Sequence, residues 1–447
     1  MSAVAGHSVS DAIWRQAFDA LAAAVPDFAA AAKPLLTGFA ACVDKLIDLH
    51  AMAPALKCER AGRVLFDELM ARARNGRGGE FEVDWPGGPG FLDTFVKPGA
   101  TAIGGTSAQA ACTLACLGGS AVIALGDRSP GQLAALHPAV KLFNENGTLV
   151  SVGDMRPTGA GKPAHYIFEY TAGRPLPDFT PQRSTRVIVR FAAEDLEDDP
   201  LFERYGRTQA AGAGAALLSS PNGVGAERLP SALDRMASFS RAWQDAGIPV
   251  HFELGEYPTP GALDETLRRM TGSVTSIGLN FNELRSVGIA STAPKAELKA
   301  FAEHHSLSRL VVHADDWALA LTRGDPEREL DALAMGCLLA SARAEAGEPI
   351  AKPHAPAAAV FGGAPHEPIT SYAGSGWRIV CCAAPYLSKP TSTIGLGDTF
   401  TAGTMLVHAA KQPAVLATLP GLLARPSAAK NIGGPSSALS AANQIRS

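Results

Sequence analysis

A glycine-rich turn that runs directly into a helix pattern is the clearest chemical signal in the sequence, PTSTIGLGDTFTAGTML at 390–406. We expect the free N–H groups of Gly395, Leu396 and Gly397 to point beyond the start of that helix, where they can bind an anion. Asp398 follows in the first turn, where a carboxylate suits the helix dipole and can also accept the proton of an attacking hydroxyl. Phosphoryl transfer needs both parts at once, so the pattern favours that chemistry. The alternative is that Asp398 only caps the helix and the glycines only make the turn.

The same segment resembles the signature of ribokinase-like kinases. GLGDTFTAG carries the resemblance, and the wider PTSTIGLGDT context is similar to the ADP-dependent glucokinase and phosphofructokinase branch. The resemblance implies that Asp398 is the catalytic base and that the preceding backbone amides form an anion hole. It extends over most of the chain, from GFAACVD at 38–44 to the last helix pattern.

Two further motifs support this branch: HFE in HFELGE is similar to the family's HxE, and NFNE in GLNFNELRSVG is similar to its NxxE. The resemblance assigns four residues to the nucleotide: His251, Asn280, Glu283 and Ile394. Mg²⁺ accompanies a nucleotide, keeps several waters and needs few carboxylates, so the resemblance implies that Glu253 and Glu283 hold those waters. His251 and Asn280 then orient the carboxylates. The alternatives are a core His251, a helix-capping Asn280 and a solvated Glu283.

An arginine is also expected at the phosphates. Arg186 in STRVIVRF resembles the family's NRFI-type segment, whose arginine reaches the phosphates from the substrate side. A guanidinium offers paired donors and a stable positive charge to a phosphoryl group. Arg190 in the same segment is the rival, and an ordinary salt bridge is the alternative for either residue.

The resemblance assigns four residues to the sugar: Asp44, Gly88, Gly105 and Thr106. The turns at 87–88 and 104–105 match the family's GGQ and GGN segments. This chain departs from the family at three places, with Pro89 in place of Gln, Thr106 in place of Asn, and Ala40 in place of an Asn. A site that hydrogen-bonds particular hydroxyls discriminates strongly, so we expect the preferred acceptor to differ from glucose or fructose 6-phosphate.

The elements that position these residues follow an α/β pattern. From about residue 208 onward, apolar strand patterns alternate with helix patterns, which predicts a largely parallel central sheet covered by helices. The segment 35–49 is expected to form one buried strand that reaches Asp44. We expect three parts. A large α/β unit comprises residues 1–50, 101–144 and 194–425. A smaller β-containing lid comprises residues 51–100 and 145–193, and residues 426–447 form a flexible tail.

Composition excludes several protein classes. The 447 residues carry a net charge of −4, so no sequence-wide basic field favours nucleic acid or an anionic membrane surface. The N-terminus has no signal-peptide pattern, and no apolar stretch is long enough to span a bilayer. The seven cysteines lack zinc-site spacing and indicate buried thiols in a reducing compartment. We therefore expect a cytoplasmic protein that is a monomer or small homo-oligomer.

Four functional hypotheses remain. The first is ADP-dependent, Mg²⁺-dependent phosphoryl transfer to a hydroxyl of a sugar or sugar phosphate, with Asp398 as base. The second keeps this chemistry with ATP as donor. The third is a non-catalytic sugar-binding or nucleotide-binding regulatory protein of the same fold, against which the intact Asp398 counts. The fourth is an unrelated α/β enzyme such as a dehydrogenase, for which the chain lacks GxGxxG after a strand with a suitably spaced acidic residue.

Overall fold

The computed structural model describes residues 9–423, apart from 193, 258, 291–292 and 373. The predicted tail at 426–447 lies outside the described residues. The strands, in chain order, are β1 (Leu35–Gly38), β2 (Cys42–Asp48), β3 (Gly79–Glu82), β4 (Thr101–Gly104), β5 (Ala121–Ile123), β6 (Lys141–Phe143), β7 (Leu149–Ser151), β8 (His165–Tyr170), β9 (Thr185–Arg190), β10 (Ala215–Ser219), β11 (Val250–Glu253), β12 (Ser276–Asn280), β13 (Arg309–His313), β14 (Trp317–Thr322), β15 (Val360–Phe361), β16 (Ile369–Ser371), β17 (Arg378–Ala383) and β18 (Pro385–Tyr386).

The α-helices, in chain order, are α1 (Asp11–Ala31), α2 (Leu49–Cys58), α3 (Arg63–Arg74), α4 (Gly88–Asp93), α5 (Thr106–Cys116), α6 (Pro130–Ala135), α7 (Pro200–Tyr205), α8 (Leu229–Asp245), α9 (Ala262–Met270), α10 (Phe281–Ser286), α11 (Lys295–His304), α12 (Pro326–Ala346) and α13 (Leu396–Ala410). Among the described residues, none of these helices is both long and apolar enough to cross a membrane.

The main sheet has eleven strands in the order β16-β17-β14-β13-β12-β11-β10-β1-β5-β6-β7. The seven strands from β13 to β6 run parallel, and the strands outside them pair antiparallel. Strands such as β10 and β11 are buried along their whole length because helices cover both faces of the sheet. The predicted α/β class with a largely parallel central sheet is confirmed.

Two apolar cores flank this sheet. The core on one face contains buried residues of α1, α5, α12 and α13, including Phe18, Leu333 and Phe400. The core on the other face contains residues of α8, α9 and α11, including Phe239 and Trp243. The sheet is therefore the middle layer of three, and its strand ends meet at one edge of the sandwich.

Helices α12 and α13 approach each other closely at a pair of glycines. A Cβ atom added to Gly403 would lie 2.8 Å from the Cα of Gly336, which is less than real Cβ contacts allow. A Cβ atom added to Gly336 would lie 2.7 Å from the carbonyl oxygen of Phe400. The absence of side chains at these two positions allows α13 to pack closely on α12, and this packing fixes the position of α13 and of the turn before it.

A second, five-stranded sheet has the order β3-β9-β8-β2-β4 and mixes parallel with antiparallel pairs. Helices α2 and α3 pack on it through a separate apolar core that includes Leu56, Phe66, Tyr166 and Tyr170. A unit with its own core can move as one body relative to the main sheet.

The single strand expected over 35–49 is wrong, because the segment forms two strands in different sheets. Strand β1 pairs with β5 and β10 of the main sheet, whereas β2 pairs with β4 and β8 of the smaller sheet. All residues of β1 are buried, whereas buried and partly exposed residues alternate along the start of β2. The apolar residues of the sequence do not distinguish these two burial patterns. The structure also places β4 in the smaller sheet and β7 in the main sheet, on the opposite sides of the predicted boundaries.

Candidate active site

One large cleft separates the two sheets, and most of the predicted site residues line it. Its volume is about 1340 Å³, which has room for a nucleotide and a sugar together. Twelve predicted residues line the cleft: Asp44, Gly105, Thr106, Arg186, Glu253, Asn280, Glu283, Ile394, Gly395, Leu396, Gly397 and Asp398. They come from the carboxyl ends of main-sheet strands, from the start of α13 and from the smaller sheet.

The turn before α13 has the backbone of an anion site. Gly395 is left-handed, with φ of 64°, and its carbonyl accepts the Thr399 N–H at 2.9 Å, which closes the first helical turn. The N–H groups that precede Thr399 therefore have no partner within the helix, and their residues line the cleft. Asp398 lies inside this first turn, as the sequence predicted.

A buried arginine that the sequence did not single out lies beneath this turn. Arg343 of α12 is only 4% exposed and donates hydrogen bonds to Gln109 Oε1 at 2.8 Å and to Thr399 Oγ1 at 2.9 Å. A Cβ atom at Gly395 would lie 2.6 Å from its guanidinium, so only glycine fits there. Burial lowers the pKa of Arg343, and the negative charge of Asp398 opposes that shift. The guanidinium thus ties α5, α12 and α13 together within electrostatic reach of Asp398.

Glu253 ends β11 in a dense hydrogen-bonding network. His251 Nε2 lies 2.8 Å from Oε2, His313 Nε2 lies 3.1 Å from Oε1, and the Thr401 hydroxyl donates to Oε2 at 3.1 Å. Burial by itself raises the pKa of Glu253, but the contacts with the two histidines lower it to about 2. Gly278 on the neighbouring strand leaves space for the side chains of Glu253 and His251, because a Cβ atom there would lie 2.1 Å from Glu253 Oε2. Glu253 is therefore held ionised at the edge of the cleft.

Asn280 and Glu283 form a reciprocal cap at the start of α10. Asn280 Oδ1 accepts the Glu283 N–H at 3.1 Å, while the Glu283 carboxylate accepts the Asn280 N–H at 2.7 Å. Asn280 therefore caps α10, as the alternative interpretation predicted, and Asn280 and Glu283 also line the cleft. Burial raises the pKa of Glu283 well above its usual value; the Asn280 N–H opposes this shift, and the charges of Glu253, Glu256 and Asp398 add to it.

This surplus of negative charge fits a divalent cation. Glu253, Glu283 and Asp398 are near enough to one another for the first and last to raise the pKa of Glu283. Carboxylate oxygens of this kind are the ligands that Mg²⁺ uses, directly or through its waters. The donor set of the cleft is therefore compatible with a Mg²⁺-nucleotide.

The two candidate arginines of β9 have different environments. Arg186 lines the cleft, and among the described residues it forms no ion pair. Arg190 is 2% exposed, lies 2.5 Å from Glu80 Oε1 through its Nε, and donates to the Gly223 carbonyl at 2.9 Å. The salt-bridge alternative describes Arg190, and Arg186 is the arginine left available to phosphate.

Asp44 lies on β2, in the part of the cleft lining that the smaller sheet contributes. A Cβ atom at Gly104 would lie 2.2 Å from Asp44 Oδ1, and Gly105 has φ of 85° where the chain turns into α5. Burial raises the pKa of Asp44 to about 6, although the neighbouring His165 lowers it and Asp398 raises it again. Asp44 and Asp398 thus lie within electrostatic reach of each other, one in each unit.

Two predicted residues are not in the cleft. Gly88 begins α4, where a Cβ atom would lie 2.3 Å from the Phe191 ring and 2.9 Å from Trp85, so it packs against aromatic side chains of the smaller unit. His251 is 2% exposed and lies beneath Glu253, with its Nδ1 2.6 Å from the Ser276 hydroxyl. In this structure Gly88 thus packs within the smaller unit, and His251 reaches the cleft only through Glu253; the assignment of Gly88 to the sugar and of His251 to the nucleotide stays a prediction.

Sequence reasoning missed several residues of the site. His313 follows the apolar run RLVV at the end of β13, so the strand-end argument used for Glu253 could have found it. Arg343 and Gln109 lie inside helix patterns, and His165 lies inside a strand pattern, with no local motif to mark them.

A mostly parallel sheet whose strand ends face a phosphate-binding turn, with a smaller sheet across the cleft, defines the ribokinase-like class of α/β kinases. The chain belongs to the ADP-specific phosphofructokinase/glucokinase family, since residues 35–407 match the conserved region of that family. The family hypothesis drawn from GLGDTFTAG is confirmed.

Known proteins agree with this assignment. An ADP-dependent glucose/glucosamine kinase of Pyrococcus furiosus is 24% identical over 276 residues, which cover 54% of this chain and 60% of that relative. A phosphofructokinase structure from Pyrococcus horikoshii OT3 with AMP has a TM-score of 0.63 and 16% identity, and the match covers 85% of this chain and 98% of that one. An ADP-dependent kinase in complex with fructose-6-phosphate and ADPβS has a TM-score of 0.69 and 14% identity, covering 89% and 98%. The structural matches support the fold.

Proposed function

We propose that the protein transfers a phosphoryl group from ADP to a hydroxyl of a sugar or sugar phosphate, with Asp398 as the general base. The supporting observation is that Asp398, at the start of α13, shares one cleft with Asp44 of the smaller sheet. Membership of an ADP-specific kinase family supports ADP as the donor. The named activity of the Pyrococcus furiosus relative and the sugar phosphate in the solved kinase complex support these two acceptor classes.

In the proposed reaction the acceptor hydroxyl lies between Asp44 and Asp398. Asp398 accepts the proton as the hydroxyl oxygen attacks the terminal phosphorus of ADP. A new O–P bond forms, the bond from that phosphorus to the bridging oxygen breaks, and AMP leaves with the bond's electron pair. The charge that develops on the transferring group meets the N–H groups at Gly395, Leu396 and Gly397 and the guanidinium of Arg186.

Mg²⁺ would neutralise the phosphate charge of the bound nucleotide. Glu253 and Glu283 are the residues proposed to hold its waters. Both residues line the cleft, and Glu283 lies near several other negatively charged side chains. His251 and His313 orient the carboxylate of Glu253 through their hydrogen bonds. Asn280 does the same for Glu283 through the α10 cap.

The first experiment is a coupled phosphotransfer screen with ADP and ATP as alternative donors and Mg²⁺ present. The acceptors are hexoses, pentoses and ketoses, each with and without a phosphate. We expect turnover with ADP on at least one acceptor. Turnover with ATP alone would replace the donor assignment and keep the base, while silence with nucleotide still bound would favour the non-catalytic alternative.

The base assignment is tested by Asp398→Ala. We expect kcat to fall by about 10³-fold, because the proposed general base is lost, while nucleotide binding changes little. Asp178→Ala is the matched control, since Asp178 pairs with Lys57 on the surface of the smaller unit and is about half exposed. Near-normal turnover of the Asp398 variant would refute the assignment.

A further inference from the structure

Three basic side chains near Asp44 are each already paired with a carboxylate. Lys162 Nζ pairs with Glu197, His165 Nε2 lies 2.5 Å from Glu194 Oε1, and Arg190 Nε lies 2.5 Å from Glu80 Oε1. These pairs surround the end of the cleft assigned to the acceptor, which Lys162, His165, Glu80, Glu194 and Glu197 line together with Asp44.

The Lys162 pair is held by further hydrogen bonds on both sides. Lys162 Nζ also donates to the Ala41 carbonyl at 2.7 Å. The side chain of Glu197 is 2% exposed, and its second oxygen accepts the N–H groups of Gly126 at 2.7 Å and Asp127 at 3.2 Å. Moving Lys162 toward another anion would leave the buried side chain of Glu197 without its partner, which is costly.

The Arg190 pair is more enclosed than the Lys162 pair, whose lysine side chain is 38% exposed. The Arg190 side chain is 3% exposed and that of Glu80 is 14% exposed. A Cβ atom at Gly223 would lie 2.5 Å from Glu194 and 2.8 Å from Arg190, so no side chain intervenes between these groups. The guanidinium is thus enclosed between carboxylates and a carbonyl that already accept from it.

The histidine pair has the same character. Burial by itself lowers the pKa of His165, but the hydrogen bond and charge of Glu194, with the charge of Asp44, raise it to about 9. The positive charge of the ring therefore compensates carboxylates already present. Four carboxylates face three basic groups here, so the acceptor end carries a net negative charge.

The arginine available for phosphate lies at the other end of the smaller sheet. Arg186 is opposite Glu169 in the β8–β9 register, and Glu169 accepts a hydrogen bond from Ser392, just before the α13 turn. Arg190 lies four residues further along the same strand, a separation of about 13 Å at the usual strand rise. Positive charge for phosphate is therefore supplied beside the α13 turn and not beside Asp44.

We propose that the acceptor is an uncharged sugar and not a sugar phosphate. A phosphomonoester brings almost two negative charges, which need unpaired donors or cations where it binds. At the acceptor end it would meet net negative charge and would have to separate one of these three ion pairs, in each of which one side chain is at most 12% exposed. This inference rests on the proposed function and specifies the substrate class of the same site.

The test compares matched pairs under identical conditions: glucose with glucose 6-phosphate, and fructose with fructose 6-phosphate. With Mg²⁺ and the active donor, we expect kcat/KM for the uncharged member to exceed that for the phosphate ester at least 100-fold. A sugar phosphate that is used better than its parent sugar would overturn the proposal. Turnover of neither kind with either donor would count against the proposed function, and the binding experiment below then decides the acceptor class.

The variant Glu197→Gln makes the charge argument specific. It keeps the size of the side chain but releases Lys162, so the ratio of the Kd of glucose to that of glucose 6-phosphate, measured by calorimetry, should rise at least tenfold. Glu265→Gln is the control, since Glu265 pairs with Arg268 and Arg269 on the surface of α9. A ratio unchanged in Glu197→Gln, or tighter binding of glucose 6-phosphate than glucose by the unaltered protein, would overturn the proposal whether or not the protein is a kinase.

Discussion

At the residue scale, two charged groups approach the α13 turn from different sides. Asp398 lies in the turn and faces the cleft, whereas Arg343 lies beneath the turn and is almost fully buried. A buried positive charge near a site where negative charge develops is stronger than the same charge in water. We propose that Arg343 is a positioning residue for the turn and that its charge also contributes to the local field.

We predict that Arg343→Met lowers kcat by about 10²-fold or more, in the range seen when one fixed donor at a developing charge is removed. The reason is that Gln109 and Thr399 lose their common donor, so the turn loses its support. The KM for ADP should change much less than kcat. Arg343→Lys should recover part of kcat, because it restores the charge without the planar fork.

Steady-state kinetics and a thermal melt of the same samples separate catalysis from folding. Arg328→Met is a control on the same helix, because Arg328 donates only to carbonyls at the end of α13. If kcat of Arg343→Met stays within threefold of the unaltered enzyme while its melting temperature falls, Arg343 has only a structural role.

At the element scale, the position of the turn depends on how closely α12 and α13 pack. Gly336 and Gly403 bring the two backbones together, and backbone atoms cannot move aside as the end of a flexible side chain can. This close packing fixes the position of α13 relative to α12, and the hydrogen bond from Arg343 to Thr399 depends on that position.

We predict that Gly403→Ala lowers the free energy of unfolding by about 2 kcal/mol, as overpacking of a filled core does. Gly131→Ala is the matched control, because Gly131 is exposed in α6 and a Cβ atom there meets nothing within 4 Å. The control should be neutral or slightly stabilising, since alanine favours the helix. Denaturant unfolding of both variants checks the difference; equal stabilities would contradict close packing at Gly403.

At the scale of the whole molecule, two bodies with separate cores face each other across the cleft. The domain boundaries stay a prediction, and we propose that the smaller sheet with α2, α3 and α4 closes on the main unit when nucleotide and sugar bind. Closure would exclude water, which otherwise competes as phosphoryl acceptor.

Small-angle scattering checks this closure. The radius of gyration should decrease when ADP, Mg²⁺ and a sugar that the screen identifies are added together. Buffer with the sugar alone is the control for contrast. Identical profiles with and without the full set of ligands would count against a lid.

Buried histidines couple global stability to pH. Burial lowers the pKa of His251, and Glu253 only partly opposes this. The folded state thus binds fewer protons at His251 than the unfolded state, whose histidine pKa is about 6.5. Its contribution to stability is present above that value and is lost as the pH falls below it, by up to about 1.4 kcal/mol per pH unit. The contribution of His165 to stability depends on pH in the opposite direction. Because its pKa is raised to about 9, His165 stabilises the fold at lower pH, and this contribution is lost as the pH rises through about 9.

We therefore predict that, between pH 7 and pH 5.5, the change in the free energy of unfolding is more favourable to the folded state in His251→Gln than in the unaltered protein, because the variant lacks this loss. His354→Gln is the control, because the His354 side chain is 59% exposed. Urea unfolding at several pH values measures the slopes. An unchanged slope in His251→Gln would show that this histidine is not the source.

The sequence by itself determined the α/β class and the family, and it predicted the turn before α13 as the phosphate-binding element. These follow from local patterns, since apolar runs define strands, and glycines followed by an aspartate define a helix start with free N–H groups. The strand-end rule also located Glu253 and Asn280 at one edge of the sheet. The cytoplasmic location, the oligomeric state and the Mg²⁺ requirement stay predictions of the sequence.

Only the tertiary structure decided which side chains meet across the chain. Segment 35–49 divides between two sheets, because strand partners more than a hundred residues away in sequence decide which sheet a strand joins. Arg343 reaches Gln109 and Thr399 from other helices, and the acceptor-end cations are neutralised by carboxylates distant in sequence. Charge pairing of this kind depends on distances in space, which residue types and their spacing along one chain do not specify.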